Sequence, residues 1–150
     1  MYNLSGEYEV RLDDKNRLRL PAGLIRQLGE DIKLGLVINR GFDRCLLLFP
    51  QKLWEKKSNE VNQLNLYITS NREFARYFYR GATKVDMDAS SRILVPKTLM
   101  DHAIIKQDLI VYAYGEQIEL WAKDAYEKMI ANEPKDFASF TENIFGHKDV

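Results

Sequence analysis

The stretch Val10-Arg-Leu-Asp-Asp-Lys-Asn-Arg-Leu-Arg-Leu-Pro21 returns without a gap as Val85-Asp-Met-Asp-Ala-Ser-Ser-Arg-Ile-Leu-Val-Pro96. Every apolar position is answered by an apolar one, and Asp13, Arg17 and Pro21 meet Asp88, Arg92 and Pro96 at a constant offset of 75. Farther along, Gly41 answers to Gly115. Leu48-Phe49 answers to Leu120-Trp121, and Trp54-Glu55-Lys56 to Tyr126-Glu127-Lys128, with the offset now 72. Self-similarity at a nearly fixed period over this length marks a tandem duplication.

Each copy carries the same local code. Val10 and Leu12, then Leu18 and Leu20, alternate with polar residues at the period of a half-buried strand, and the turn formers Asp13-Asp-Lys-Asn16 separate them. This predicts a hairpin. Pro21 suits the first position of a short helix stopped at Gly29; Pro96 opens its counterpart, with Leu99, Met100 and Ala103 as the apolar stripe. Two near-continuous apolar strands follow in each copy, at residues 34–38 and 45–49 and at 109–113 and 118–121.

Between the copies, residues 51–68 read as a helix with Leu53, Trp54, Val61, Leu64 and Ile68 on its apolar face. A second helix is predicted over 70–81, started by a capping-box pattern of Ser70 with Glu73. Its Arg72, Arg76 and Arg80 recur at every fourth position, on a different face from Phe74 and Phe78. That stripe suits a solvated face, phosphate contacts or pairing with acids of another subunit; Phe74, Tyr77, Phe78 and Tyr79 suit a core or subunit interface. Residues 124–132 are predicted helical, Phe137, Phe140 and Ile144 extend that helix beyond Pro134, and residues 146–150 read as frayed.

A single unit of this kind buries too little apolar surface to offset its own conformational entropy. We therefore expect the two repeats, residues 1–50 and 82–150, to form one pseudo-symmetric β-barrel. Residues 51–81 are its helical linker and the C-terminal helix belongs to the second repeat. The class is mainly β with added helices, α+β.

Composition narrows the function. The 150 residues hold 22 Lys+Arg against 22 Asp+Glu, a net formal charge of zero, so the chain does not coat nucleic acid by bulk electrostatics and any phosphate binding requires a local patch. One cysteine excludes an intramolecular disulfide and a cysteine-built zinc site, and His102 and His147 stand apart from any ligand cluster. The longest apolar runs, 45–49 and 109–114, fall far short of the roughly 20 residues of a membrane span. A reducing cytosol is the expected compartment, with no membrane contact, no cofactor and no small-molecule ligand indicated.

Strand alternation locates the patch. With Val10, Leu12, Leu18 and Leu20 facing the core, Arg11, Arg17 and Arg19 face outward and Lys15 stands at the turn tip. In the second copy Asp86, Ser90 and Leu94 replace Arg11, Lys15 and Arg19, and Arg92 alone keeps its charge. The first hairpin thus suits a polyanion and the second a protein surface. Because Asp13/Arg17 and Asp88/Arg92 recur in both copies, carboxylate and guanidinium can pair across each turn and hold it closed. For Arg17 a structural and a ligand-contacting role are both open, whereas Lys15 and Arg19 show no structural need. Asp13, Asp14, Asp86 and Asp88 make a poor metal pair without a nearby histidine. The chain has no glycine-rich phosphate loop, and Cys45 lies in an apolar strand, so no enzyme is expected.

The doubled pattern Asp13-x-x-x-Arg17-Leu-x-Leu-Pro21 and Asp88-x-x-x-Arg92-Ile-x-Val-Pro96 is accompanied by Cys45-Leu-Leu-Leu-Phe-Pro50, Trp54 and Ile118-Glu-Leu-Trp121. Together these closely resemble the MraZ family from about Ser5 to Met129. The resemblance implies a single-chain double version of the AbrB-type swapped-hairpin barrel. It also implies a cytoplasmic, nucleoid-associated bacterial transcriptional regulator, most simply a repressor. Such a regulator binds repeated promoter boxes of the division and cell-wall gene cluster as a ring-shaped homo-oligomer. Its double-stranded DNA contacts would fall to Arg11, Lys15, Arg17 and Arg19, with Asp13, Asp88 and Arg92 as turn pairs that also have access to DNA. The alternative is an antitoxin-like protein-interaction module, with Phe137, Phe140 and Phe145 as anchors for a partner. The family pattern carries glycine before each motif arginine, where this chain has Asn16 and Ser91. Asn tolerates positive φ and Ser does so less readily, so the second turn is expected to differ in shape. Asp14 adds an acid that would repel DNA if it pointed the same way.

Overall fold

A computed structural model describes residues 2–146; the expected fraying at the C-terminus and His147 lie largely or wholly outside the described residues. The first half runs β1 (Leu4–Arg11), β2 (Arg17–Arg19), α1 (Ala22–Leu28), a 3-10 segment (Gly29–Leu34), β3 (Leu36–Arg40), β4 (Leu46–Pro50), α2 (Gln51–Asn62) and α3 (Thr69–Tyr79). The second runs β5 (Thr83–Val85), β6 (Arg92–Leu94), α4 (Lys97–Ala103), β7 (Asp108–Gly115), β8 (Gln117–Ala122), α5 (Lys123–Ala131) and α6 (Phe137–Phe145). The fold is α+β, as the alternation of strand and helix signals requires.

Local pairing is where the structure departs from the hairpin reading. β1 and β2 do not pair with each other: β1 lies antiparallel to β7, and β2 antiparallel to β6. The six-stranded sheet has the order β1-β7-β8-β4-β3-β5, so strands of the two halves also meet at β8–β4 and β3–β5. Alternation tells which face of a strand is buried and leaves the partner undetermined. The hairpins are swapped, each strand finding its ladder in the other copy.

The closed barrel expected from the duplication is not formed by continuous strand pairing. The sheet is open, with β1 and β5 at its edges, and β2–β6 is a separate ribbon. The ribbon strands are three residues long because Pro21 and Pro96, which carry no N–H, follow almost at once and cap α1 and α4. One core nevertheless joins sheet, ribbon and helices. Leu18, Leu24, Leu36, Ile38, Leu46, Leu48, Ile93, Leu99, Leu109, Ile118 and Leu120 are buried together in it, with Val10 packed at its margin. Complete burial of such a side chain contributes about 1.5–3 kcal/mol, and neither copy supplies the enclosing wall alone.

Several boundaries move for local reasons. The strand expected from residue 34 starts at Leu36, because Gly35 at φ 99° ends the 3-10 segment that occupies 29–34. The helix expected over 51–68 stops at Asn62. The Ser70–Glu73 capping box is not used: Ile68 is the N-cap residue of α3 and no side chain caps it. Instead the Arg72 guanidinium donates to the carbonyls of Leu66 (2.9 Å) and Tyr67 (3.2 Å), and Asn71 donates to the carbonyl of Asn65, which ties the connection to the helix. Arg72 is therefore a loop clamp rather than one member of a free arginine stripe. The aromatic side of α3 folds onto α2, with Phe78 stacked on Trp54 at 5.3 Å and Tyr79 edge-on to the same ring. Beyond Pro134 the chain forms the separate helix α6 instead of extending α5.

Candidate functional site

The ribbon and its two turns define the site. In the first turn the backbone closes through Asn16 N–H to Asp13 O (3.0 Å) and Asp13 N–H to Arg17 O (3.1 Å). Asp13 Oδ1 accepts from the N–H groups of Lys15 and Arg17, both at 2.9 Å, while Oδ2 accepts from Arg17 Nε at 2.7 Å. The second turn repeats this bond for bond. Ser91 N–H donates to Asp88 O, Asp88 N–H to Arg92 O, the Ser90 and Arg92 N–H groups to Asp88 Oδ1, and Arg92 Nε to Asp88 Oδ2 at 3.0 Å. The structural pairing read from the repeated Asp-x-x-x-Arg spacing is present in both copies.

The expectation that the second turn differs in shape is overturned. Asn16 has φ 60° and Ser91 φ 62°, so both sit in the left-handed region. The carboxylate, with three donors satisfied at once, holds Ser91 in a conformation its side chain does not favour. The same bonds hold both acids ionised. The Arg17 backbone N–H first, with the Arg17 guanidinium and the Lys15 N–H, keeps the Asp13 carboxyl below the ordinary aspartate range, and the groups of Arg92 and Ser90 do the same for Asp88.

Ladder register then assembles a face that neither copy has alone. Arg17 lies opposite Leu94, Leu18 opposite Ile93, and Arg19 opposite Arg92. Directly opposed residues of an antiparallel pair share a face. Leu18 and Ile93 are buried beneath, so Arg17, Arg19, Arg92 and Leu94 lie on the outer side. Further backbone bonds, Leu20 N–H to Ser91 O (2.8 Å) and Val95 N–H to Asn16 O (3.0 Å), draw each turn against the other copy's strand. Arg92 Nη1 reaches Asp13 Oδ2 at 3.7 Å, which links the two turn pairs directly.

The four expected cations are thus divided. Lys15 stands exposed at the first tip and Arg19 exposed on the ribbon; among the described residues neither makes an ion pair. Arg17 is anchored through Nε. Its terminal nitrogens carry no hydrogen bond among the described residues, leaving the end of the guanidinium available. Arg11 belongs to the other sheet: it donates to Gln107 Oε1 at 2.8 Å and lies 3.6 Å from Asp108 Oδ1. Asp14 is exposed beside Lys15.

Two contributions were not visible from strand alternation. Arg92, read as the lone surviving charge of a protein-facing hairpin, shares the ribbon face with Arg17 and Arg19; only the register shows it. A shallow hollow of about 440 Å³ beside Asn16 also brings Lys97, Ile104 and Lys106 next to the first turn. Among the described residues no group of three or more His, Cys, Asp or Glu side chains forms a metal site. Cys45 is buried, and that burial pushes its thiol up to about 12, so it is no nucleophile at neutral pH. No helix of the described residues is long and apolar enough to cross a membrane.

Comparison with known proteins agrees with this doubled design. The family model described as "MraZ protein, putative antitoxin-like" matches twice, over residues 3–77 and 78–147. A protein of Flavobacterium psychrophilum is 36% identical over 148 residues, covering 98% of this chain and 94% of its own length. One of Cytophaga hutchinsonii is 37% identical over 139 residues, covering 92% and 91%. One of Christiangramia forsetii is 35% identical over 150 residues, covering 99% and 97%. Each of the three is named transcriptional regulator MraZ. With both halves matched by the family model and relatives alike over almost their whole length, this chain belongs to the MraZ family.

Proposed function

We propose that this protein is a transcriptional regulator that reads double-stranded DNA with the β2–β6 ribbon and the tip at Lys15. The observation that carries the reading is the shared face of Arg17, Arg19 and Arg92 on a chain of zero net charge. A two-stranded ribbon fits the major groove, which is about 12 Å wide. Asp13 fixes Arg17 by Nε, so the terminal nitrogens can meet guanine O6 and N7 together; Lys15 and Arg19 neutralise phosphates or read further bases, with Arg11 at the flank.

One such face binds weakly. Repetition in a ring-shaped homo-oligomer set against repeated boxes raises the effective concentration of each further contact, so modest modules yield a tight and specific assembly. On this reading the boxes lie in the promoter of the division and cell-wall gene cluster, the protein acts most simply as a repressor, and it works in the cytoplasm on the nucleoid. The test is selection of bound fragments from genomic DNA, followed by mobility shift with Lys15→Glu/Arg17→Glu. The double variant should bind on the order of a hundredfold more weakly at an unchanged gel-filtration volume; undiminished binding places the DNA face elsewhere.

A second reading rests on α6, where Phe137, Phe140 and Ile144 are exposed along one short helix. An antitoxin-like role would seat a protein partner there. Copurification of a stoichiometric partner that is lost with Phe137→Ser/Phe140→Ser supports it, and a self-assembled protein with no such partner refutes it.

A further inference from the structure

The pseudo-twofold that relates the copies passes through the ribbon, between Leu18 and Ile93. It maps Arg17 onto Arg92 and Arg19 onto Leu94. The outer face is therefore symmetric at one diagonal, where two anchored arginines each grip their own aspartate, and asymmetric at the other. There an exposed arginine in one copy is replaced by a leucine 57% exposed. A solitary exposed leucine needs no explanation on a protein surface. This one sits among three arginines, opposite Arg17 across the ladder, on a strand whose alternation calls for a polar residue at that position.

We propose that Leu94 is a specificity-determining residue that packs on the 5-methyl group of a thymine, while Arg19, its twofold mate, takes a hydrogen-bonding base edge. The proposal rests on the reading of the ribbon as the DNA face and adds what that face reads. In the major groove the thymine methyl is the one apolar feature of the base edges, and an aliphatic side chain discriminates it by contact. Arg17 opposite Leu94 can reach the neighbouring base while its stem shields the leucine from water. Duplication makes this possible: a symmetric ribbon would present the same side chain twice, whereas this one presents an apolar and a cationic reader to the two halves of one site.

The test uses the full-length chain and a duplex that it selects from a random-sequence pool. That duplex is resynthesised with deoxyuridine replacing each thymine in turn, which removes the methyl and leaves base pairing intact. Loss of one buried methyl should weaken binding about fourfold at one thymine. Leu94→Ala should bind the parent duplex about that much more weakly and be indifferent to deoxyuridine there. Leu94→Arg, which restores the twofold, should shift the selected base at that place from thymine to guanine. Thermal melting confirms that the variants fold, as expected at an exposed position.

A selected duplex that binds equally well with deoxyuridine at every thymine overturns the role of Leu94 and leaves the DNA reading standing. So does Leu94→Ala that keeps full deoxyuridine sensitivity. A change in gel-filtration volume on Leu94→Ala, without change in deoxyuridine sensitivity, makes the residue a subunit contact and overturns the proposal. Failure to select any duplex overturns the DNA reading itself and the proposal with it.

Discussion

Asp13 and Asp88 do the same work in the two halves: each carboxylate accepts two backbone N–H groups and its own arginine's Nε, and each holds a non-glycine residue at φ near 60°. What the turns display is not the same. The first carries Lys15 at its tip and Arg19 on the strand beyond; the second carries Ser90 and Leu94 at those places. Backbone shape is thus secured by one residue type, which frees the tip and the outward strand position to change without disturbing the fold. Arg92 belongs to both sides of the comparison, since it closes its own turn and reaches Asp13 of the other.

The largest effect should come from removing the carboxylates. Asp13→Ala and Asp88→Ala each leave two backbone donors and a guanidinium without their acceptor, so each should lower the denaturation midpoint more than any other single change named here. Because both carboxyls titrate below the ordinary aspartate range, the stability they contribute is present above the unfolded pKa and lost as pH falls through the folded one. The wild-type stability curve should therefore fall below about pH 4, and the alanine variants should fall less steeply there. Parallel acid limbs for wild type and variants would refute this account of the turns.

Binding tests the difference between the tips. Ser90→Lys gives the second tip the charge of the first. Since both tips flank one face, salt titration of the DNA complex should steepen by about 0.9 per phosphate newly neutralised. An unchanged slope would show that the second tip stands off the duplex and that the two turns differ in position as well as in cargo.

A smaller contrast lies at the helix ends. Gly29 follows α1 at φ 65°, whereas its repeat mate Ile104, a residue 66% exposed, follows α4 at φ 55°. A β-branched residue gains nothing there to offset left-handed strain, so Ile104→Gly should stabilise by about 1 kcal/mol in chemical denaturation. A smaller change is expected of Ser91→Gly, at about 0.5 kcal/mol, because relief of strain is partly cancelled by the greater freedom of glycine when unfolded. Asn16→Gly should gain less still, asparagine being the better tolerated residue at positive φ; a larger gain at Asn16 than at Ser91 would reverse this ranking.

Much of this was legible from one stretch of twelve residues. Its repetition revealed the duplication, its alternation assigned Leu12, Leu18 and Leu20 to the core, and Asp-x-x-x-Arg marked the turn pairs. Strand partners were not legible. A three-residue strand such as Arg17–Arg19 carries no information on whether it pairs with its neighbour in sequence or with Arg92–Leu94 in the other copy, since both choices bury Leu18. That one ambiguity hid the place of Arg92 on the cationic face, because Arg92 joins Arg17 and Arg19 only through the swapped register. Ser91 misled for a related reason: residue preference is a local quantity, and here the Asp88 carboxylate outweighs it. Arg72 read as part of a periodic stripe because helical spacing records which side a residue is on, and the loop carbonyls that it grips lie outside the helix.

The swapped ladders also bear on the order in which the molecule comes into being. β1 leaves the ribosome well before β7, yet Leu4 pairs with Gly115 and Arg11 with Asp108. At ordinary rates of translation the partner strand is made roughly 5–20 s later. Throughout that interval β1 is an eight-residue strand without its ladder, the kind of segment that invites pairing with a neighbouring nascent chain. Completion of the native state is a late event in synthesis, and two chains growing side by side on one message have an opportunity to exchange halves before either is finished.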